Sequence, residues 1–398
     1  MKRLCLALAA CCALPAAAAE NTAFNPEISL ILQGGYLHAK DIDERSISGF
    51  MPAGHDHGGE RGFSLDHTEL TLAANVDQAF RGQANFAIAD DEVEVEEAWF
   101  QTLGLGHGLT LKAGRFLSAI GYSNAQHPHA WDFADQHLLG KALYGAHLIQ
   151  DGVQARWLAP SEVFFELGIE AARGQFFPGS RQAGNRKGAG SAAAFVHLGD
   201  DLNESSSWLA GLSYLQARPR QRHAHLDDAS GVEAHTDFTG TSKTWLLDAV
   251  WKWAPEGNPR ARNLKLQAEY FRRTEAGTLG CADNAADGGL CGGLIDRYRA
   301  RQSGFYAQGV YQFMPRWRIG YRYDRLDSGA VDFAAHQAAL GQDKFRPQRH
   351  SLMVDFSPSE FSRLRLQIAQ DKSMRGITDR QIAVQYVMSL GAHGAHKF

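Results

Sequence analysis

The chain ends with the stretch RQIAVQYVMSLGAHGAHKF, which spans Arg380–Phe398 and decides the fold. Its large apolar side chains stand at every second position: Ile382, Val384, Tyr386, Met388 and Leu390. A period of two puts these side chains on one face of an extended strand and leaves Gln381 and Gln385 on the other. The pattern predicts a β-strand with one apolar face, although the edge strand of a soluble β-sandwich would alternate in the same way.

The same alternation recurs upstream in about sixteen segments, beginning with Glu27–Ala39. Short turns between these segments alternate with longer loops, at residues 40–62, 117–150, 174–190, 218–243, 274–296 and 325–349. Membrane-spanning β-barrels have short turns at one end, longer loops at the other and an even number of strands. A soluble sandwich has no reason to separate its connections in this way. We therefore predict an all-β protein, a transmembrane antiparallel β-barrel of about 16 strands.

The N-terminus has the parts of a secretory signal. A basic start, the apolar run Leu4–Leu14 and small residues before Glu20 follow the expected order. We predict removal of residues 1–19 and one barrel domain over residues 20–398, located in the bacterial outer membrane. The run Leu8–Cys11 has the alternative interpretation of a lipoprotein box, although its apolar stretch is short.

Removal of the signal leaves two cysteines, Cys281 and Cys291, which are ten positions apart in a Gly- and Asp-rich segment. In an exported chain this spacing predicts a disulfide across the loop. A zinc thiolate pair is the alternative, but no neighbouring residues complete a set of four ligands.

Composition and motifs exclude several other classes of protein. No segment of the mature chain approaches the ~20 apolar residues of a membrane-spanning helix. The formal net charge is −4, and we expect no nucleic-acid partner. The sequence has no Gly-x-Ser-x-Gly nucleophile elbow and no His-Glu-x-x-His zinc motif, so we predict that the protein is not an enzyme. An outer-membrane hydrolase with another arrangement of serine and histidine is the alternative.

Residues 117–150 form the longest connection in the first half of the chain, and compact proteins rarely keep such a loop without a function. In sixteen-stranded porins the third outer loop folds into the lumen and narrows it, and this loop has the same ordinal position. Five histidines and aspartates within eleven residues of this loop are assigned to the constriction: His127, His129, Asp132, Asp135 and His137. Imidazole and carboxylate together suit zinc, but a loop inside a channel also needs polar groups to hold its shape.

Charged residues at inward-facing strand positions are predicted to line a water-filled lumen, because a charge on the lipid face costs ~2–4 kcal/mol near the midplane. The arginines that we assign to this lining are Arg115, Arg156, Arg318, Arg322, Arg363 and Arg365. The last four fall on two nearby strands and would form a basic patch that favours anions. Generic solvation of a pore is the alternative explanation.

Further histidines gather in other loops: His55, His57, His223, His225 and His235. Short His-rich tracts suggest metal capture. We therefore assign His55, His57, His223 and His225, together with the two histidines at 127 and 129, as candidate zinc ligands. No cofactor is required by the sequence, and zinc binding stays an open alternative.

Four stretches carry a family resemblance: AGRFLSAIGY (113–122), HPHAWDFAD (127–135), DGVQARWLAP (151–160) and QYVMSLGAHGAHKF (385–398). Together they resemble a proteobacterial family of outer-membrane porins or receptors, often labelled zinc-regulated or TonB-dependent, and more distantly the phosphate-selective porins. The resemblance implies a channel for passive diffusion of small solutes or ions, linked to zinc acquisition. A TonB-dependent metal receptor is the alternative, although active receptors close about twenty-two strands around a plug.

The end of the chain and the resemblance also imply partners. Bacterial outer-membrane barrels commonly finish with an amphipathic strand and a terminal aromatic residue, so Phe398 resembles their signal for the barrel assembly machinery. We further expect contact with outer-membrane lipid, passage of small solutes or ions, and a homotrimer by analogy with porins.

Overall fold

The computed structural model describes residues 26–42, 45–52, 61–65, 67–89, 92–181, 188–283 and 288–391. The predicted signal at residues 1–19 and the terminal Phe398 lie outside these ranges, so both stay predictions. Among the described residues, no helix is long and apolar enough to cross a membrane.

The described part of the chain forms eighteen strands that belong to one sheet. In chain order they are β1 Glu27–His38, β2 Gly62–Ser64, β3 Thr68–Asn75, β4 Phe80–Ala89, β5 Glu92–Thr102, β6 Leu109–Leu117, β7 Ile149–Leu158, β8 Phe164–Ala172, β9 Ser191–Asn203, β10 Ser206–Ala217, β11 Arg222–Asp227, β12 Glu233–Trp253, β13 Asn263–Asp283, β14 Gly292–Met314, β15 Trp317–Asp332, β16 Gln348–Ser359, β17 Ser362–Lys372 and β18 Asp379–Gly391. The connections contain two short helices, α1 Leu138–Tyr144 and α2 Gln337–Leu340. They also contain single 3₁₀ turns at Pro128–Ala130, Pro255–Gly257 and Ala334–His336.

Sixteen of these strands close into a ring. The first strand, β1, pairs with β3 on one side and with β18 on the other, and every neighbouring pair around the ring is antiparallel. The other two strands are short: β2 continues the line of β3 along β1, and β11 forms a hairpin with β12. The prediction of an antiparallel barrel of about sixteen strands is confirmed.

The last strand shows how the two faces of the wall differ. Ile382, Val384 and Tyr386 in β18 are 46%, 48% and 40% exposed, whereas Gln385 is 3% exposed. In a membrane-spanning barrel, the large apolar side chains that are exposed on the outer wall contact lipid. The alternation predicted for the C-terminal stretch is confirmed, with its apolar face outward and its glutamines inward.

Strands β12 to β15 extend beyond the predicted segments. They include residues 233–243, 274–283, 292–296 and 325–332, which the alternation had assigned to loops. The longest strand, β14, has 23 residues, whereas crossing a membrane takes about 9–11. These ends therefore project past the bilayer. Their outward positions carry polar residues such as His235, Asp237 and Thr239, and the apolar alternation stops there although the strand pairing continues.

The projecting ends have a small core of their own. Phe238, Leu279 and Tyr298 are buried in it, and Cys281 and Cys291 lie in the same cluster. The two cysteines are joined by a disulfide, with Cα atoms 5.4 Å apart. This core stabilises strands that have no lipid to cover them.

A second apolar cluster fills part of the barrel interior, which corrects the prediction of a water-filled lumen. The helix α1 contributes Leu138, Leu139 and Leu143, which are almost completely buried. The wall side chains that share this cluster are Phe195, Leu215, Leu246, Phe271, Tyr306 and Leu326. At the level of α1, the interior is therefore packed on one side rather than open across its whole width.

Candidate functional site

Residues 117–150 lead from the end of β6 to the start of β7, and we call them the inner loop. They bond to residues on widely separated strands of the wall. Ser118 Oγ donates to Glu170 in β8 at 2.6 Å, and Ser123 N donates to Glu269 in β13 at 2.7 Å. Other bonds of the inner loop reach β3, β5, β15 and β17. Because these strands stand on different sides of a closed ring, the inner loop lies inside the ring.

Asp132 of the inner loop lies against a basic part of the interior. It accepts a hydrogen bond from Lys265 Nζ at 2.8 Å and forms an ion pair with Arg318 Nη1 at 3.0 Å. Burial disfavours the charged form of Asp132, but Lys265 and Arg318 outweigh this effect and hold the pKa of the carboxyl below its usual value. The aspartate is therefore ionised and anchors the inner loop.

Asp135 makes a second anchor on the same side of the interior. It pairs with Arg322 Nη2 at 3.0 Å and also with Arg349. Arg365 Nη2 donates to a backbone carbonyl of the inner loop at 2.7 Å, and Arg363 donates to another. The arginines of the predicted basic patch therefore lie together, and their guanidinium groups bind the inner loop; the preference for anions stays a prediction.

Three buried glutamates face the inner loop from another part of the wall. Glu69 is on β3, and Glu96 and Glu97 are consecutive on β5. Consecutive residues of a strand normally point to opposite faces, but the register of β4 and β5 shifts between Asn85 and Phe86, which leaves one extra residue on β5. Such a β-bulge re-aims side chains, and here both neighbouring carboxylates are buried inside the barrel.

The inner loop meets these carboxylates with two histidines. His129 Nδ1 lies 3.0 Å from Glu69 Oε2, and His127 Nε2 lies 3.3 Å from Glu97 Oε2. Burial disfavours the imidazolium of His127, but Glu96, Glu97 and Glu69 outweigh this effect and hold its pKa well above the usual value. The inner loop therefore spans the interior between an acidic side and a basic side.

The side chain of His137 is buried and bonds to other residues of the inner loop. Its Nδ1 accepts a hydrogen bond from Gly140 N at 2.9 Å at the start of α1, and its Nε2 lies 2.7 Å from Ser123 Oγ. The ring is buried and stacks on Tyr306, with 3.8 Å between ring centroids. Burial lowers the pKa of His137 well below its usual value.

The two remaining arginines of the predicted lining differ from each other. Arg115 lies opposite Asp151 on the outer face of β6 and β7, where Val153 is also exposed, and its Nε donates to Asp151 Oδ1 at 2.7 Å. The prediction that Arg115 lines the pore is wrong. Arg115 lies on the outer face near the end of β6, where its ion pair with Asp151 compensates its charge. Arg156 faces inward, with its Nη1 3.5 Å from Glu166 Oε2.

The predicted metal ligands His223 and His225 lie in β11, in the hairpin that projects beyond the bilayer. His225 stands opposite His235 of β12, and the Nε2 atoms of His223 and His225 are 3.2 Å apart. One ring nitrogen from each of the three histidines lies within 4.8 Å of the other two. This spacing allows them to share one metal ion. The predicted ligands His55 and His57 lie outside the described residues.

Several residues inside the barrel, in the inner loop or next to it, were not among the predicted site residues. They are His67, Glu96, Glu97, His147 and Arg349. For the two glutamates a signal was present, because a double Glu interrupts the alternation EVEVEEAWF at the bulge. For the others no local pattern distinguishes them from residues that merely face the interior.

The closed ring and the inner loop define the class of protein, an outer-membrane β-barrel with the architecture of porins. OmpT in its trimer form, an outer membrane protein of Vibrio cholerae, has a similar fold with a TM-score of 0.52 and 9% identity, covering 92% of this chain and 98% of that chain. OprB of Pseudomonas putida is similar at 0.54 and 12% identity, over 92% and 94% of the two chains. An anion-selective porin from Comamonas acidovorans is similar at 0.53 and 11% identity, over 91% and 98%. The protein is therefore a barrel of the bacterial outer membrane.

The sequence itself places the chain in a family. The chain belongs to the family of an uncharacterized protein of Aquifex aeolicus (strain VF5), to which it is 32% identical over 404 residues, covering 95% of this chain and 81% of the relative. No protein-family model matches the chain.

Proposed function

We propose that the protein is a porin-like channel for the passive diffusion of small solutes or ions, and that it is not an enzyme. The observation that carries this proposal is the inner loop, which is held across the barrel by Asp132–Arg318 on one side and His129–Glu69 on the other. A loop anchored on both sides narrows a passage and surrounds it with charged groups.

The inner loop has a packed side and a partly exposed side. Residues 125–131 are partly exposed, whereas Leu138–Tyr144 is largely buried against the wall. We infer that solutes pass beside residues 125–131, next to His127 and His129. Because α1 and its apolar cluster occupy part of the cross-section, only small solutes or ions fit the remaining passage.

Reconstitution of the purified protein in planar lipid bilayers tests this proposal. A channel gives stepwise increments of current at constant voltage. A plugged receptor that depends on energy coupling, the first alternative, gives almost no current. An outer-membrane hydrolase, the second alternative, gives ester hydrolysis without current. Absence of current steps from folded, reconstituted protein would overturn the channel proposal.

We further propose that the channel is linked to zinc acquisition. The support is the position of two groups of imidazoles, one in the projecting hairpin at His223, His225 and His235 and the other in the passage at His127 and His129. Proteoliposomes that enclose a zinc-sensitive dye provide the test. We expect His223→Ala/His225→Ala to slow zinc entry at low zinc concentration and to leave chloride conductance unchanged; equal zinc entry rates would contradict this link.

We propose that the protein forms a homotrimer, as the trimer form of the similar Vibrio cholerae protein suggests by analogy. Light scattering in detergent, corrected for bound detergent, measures the mass of the assembly directly. A mass of three chains is expected, and a mass of one chain would overturn the proposal.

We also propose that the barrel assembly machinery recognises the C-terminal strand through Phe398. The described part of that strand closes the ring by pairing with β1, so its insertion completes the barrel. Phe398→Ala should reduce the amount of protein in the outer membrane at equal expression. Unchanged membrane levels would contradict this role.

A further inference from the structure

We propose that His67, Glu69, Glu96 and His127 form a site for one divalent transition-metal ion, such as zinc, inside the barrel. The site joins three separate segments of the chain: β3 with the residue before it, β5, and the inner loop. The proposal rests on the zinc link above for its biological role, but its chemistry stands on the geometry of these four side chains.

Three separations between candidate ligand atoms match those expected for four-coordinate zinc. Zinc binds imidazole nitrogen and carboxylate oxygen at about 2.0–2.2 Å in tetrahedral geometry, which puts neighbouring ligand atoms ~3.4 Å apart. Glu96 Oε2 lies 3.3 Å from His67 Nε2 and 3.3 Å from His127 Nδ1. His127 Nδ1 lies 3.4 Å from Glu69 Oε2. The ligand atoms of His67, Glu69 and Glu96 all lie within 4.8 Å of one another.

The orientation of His127 points to a ligand. Its Nε2 lies 3.3 Å from Glu97 Oε2 and 3.3 Å from Asn85 Nδ2. Its Nδ1 is buried and faces oxygens of Glu69 and Glu96, but it makes a well-aligned hydrogen bond to neither of them. Metal-bound histidines commonly use the second ring nitrogen to contact a carboxylate. Here Glu97 is that carboxylate, and Nδ1 is left directed between the two candidate oxygen ligands.

His147 gives an independent observation beside the same site. It is 6% exposed, and neither of its ring nitrogens makes a hydrogen bond of good geometry to the described residues. Its ring centroid lies 6.5 Å from that of His127. A buried polar group without a partner is destabilising. His147 therefore adds a further buried imidazole next to the proposed ligand His127.

The charges around the site also favour a cation. Within the described ranges, every ion pair that the structure shows for Glu69 and Glu96 is with a histidine. Asp132 and Asp135, in contrast, are paired with the permanent charges of lysine and arginine. Buried carboxylates need a charged partner, and histidine supplies one only when it is protonated. A divalent ion would supply two charges to the glutamates and would fasten the inner loop to β3 and β5.

Metal binding by the folded, EDTA-treated protein in detergent tests the site directly. Isothermal titration calorimetry with Zn²⁺ measures affinity and stoichiometry, and the visible absorption of bound Co²⁺ reports coordination number. We expect Glu69→Gln/Glu96→Gln to weaken the interior site at least ~10-fold, since loss of an outer partner alone typically costs about 10–100-fold. The variant His223→Ala/His225→Ala should keep the interior site.

A matched control is present in the same barrel. Glu166 and His197 form another interior carboxylate–imidazole pair, also with 3.3 Å between Oε1 and Nδ1. Glu166→Gln should leave zinc affinity unchanged. Heat-dependent gel mobility establishes that each variant is folded, and His67→Ala replaces the double variant if that variant does not fold.

Two results would overturn the site: wild-type protein that binds no zinc, or zinc affinity that is the same in wild type and in folded Glu69→Gln/Glu96→Gln. Bilayer current with metal-free protein distinguishes this failure from failure of the proposed function. Current without zinc binding would support the channel and rule out the metal site. Zinc binding without current would support the metal site and rule out the channel.

Discussion

Arg318 of β15 and Asp132 of the inner loop form an ion pair with 3.0 Å between Nη1 and Oδ1. The two residues are 186 positions apart in the sequence, and Asp132 is buried. Arg318 also pairs with Asp355 on the neighbouring strand. This relationship fastens the inner loop to the wall.

Removal of this anchor should loosen the inner loop. Breaking a buried ion pair typically costs ~3–5 kcal/mol. Arg318 keeps Asp355 as a partner, so we expect about 1–3 kcal/mol for Asp132→Asn, within the range for an unsatisfied buried group. Thermal unfolding in detergent should shift downward, and single-channel conductance should rise.

The exposed pair Arg297–Asp332 provides the control for this experiment. An exposed ion pair contributes only about 0–1 kcal/mol, so Asp332→Asn should change neither stability nor conductance. If Asp132→Asn behaves like Asp332→Asn in both measurements, the inner loop does not depend on the anchor at Asp132.

The pH dependence of stability should contain a contribution from His137. Its folded-state pKa is lowered well below the usual value of ~6.5. As the pH falls below that value, the unfolded chain binds a proton that the folded protein does not, and stability is lost. The slope approaches ~1.4 kcal/mol per pH unit for one group. Thermal unfolding measured at successively lower pH gives this slope.

The variant His137→Asn separates this contribution from other titrations. Asparagine is a good N-cap residue and keeps an oxygen that can accept from Gly140 N, but it does not titrate. We expect a shallower loss of stability below about pH 6.5 in the variant. The same slope in both proteins would show that His137 is not the group responsible.

A charged side chain on the lipid-facing surface should lower the stability of the barrel. Leu366 in β17 is 50% exposed on the outer wall, and an arginine on that face costs ~2–4 kcal/mol near the midplane. Urea titration of protein folded into lipid vesicles measures this cost for Leu366→Arg. Glu360→Arg, in the exposed turn before β17, should stay within about 0.5 kcal/mol. Equal effects of the two substitutions would show that Leu366 does not face lipid.

The disulfide should stabilise the projecting ends and not the membrane-spanning ring. Closing a loop of about 15 residues contributes ~3 kcal/mol in the chain-entropy account, and the loop between Cys281 and Cys291 is shorter, with a separation of 10. We expect Cys281→Ser/Cys291→Ser to accelerate cleavage between these positions by a nonspecific protease. The heat-dependent gel mobility of the barrel should not change. Cleavage at the wild-type rate would contradict this stabilising role.

Much of the fold could be predicted from local pattern. The predicted segment Glu27–Ala39 ends within one residue of β1, and the predicted C-terminal strand begins within one residue of β18. The alternation of apolar and polar residues is a reliable guide there, because lipid contacts only one face of a single layer of strands. The polarity of each residue therefore shows which face its side chain occupies. The prediction failed at residues 274–283, where strand pairing continues beyond the lipid and the apolar side chains face a small inner core.

The sequence by itself determined the barrel architecture. Its strands have one apolar and one polar face, and short turns alternate with long loops between them. It also identified His127, His129, Asp132 and Asp135 as the polar residues of the long loop. Only the tertiary structure decided their partners, because each partner comes from a strand that is distant in the sequence. Only the tertiary structure placed consecutive carboxylates inside through a bulge, and only it showed the apolar cluster around α1. Alternation specifies the side of a wall, whereas pairing across the interior depends on how the whole ring closes.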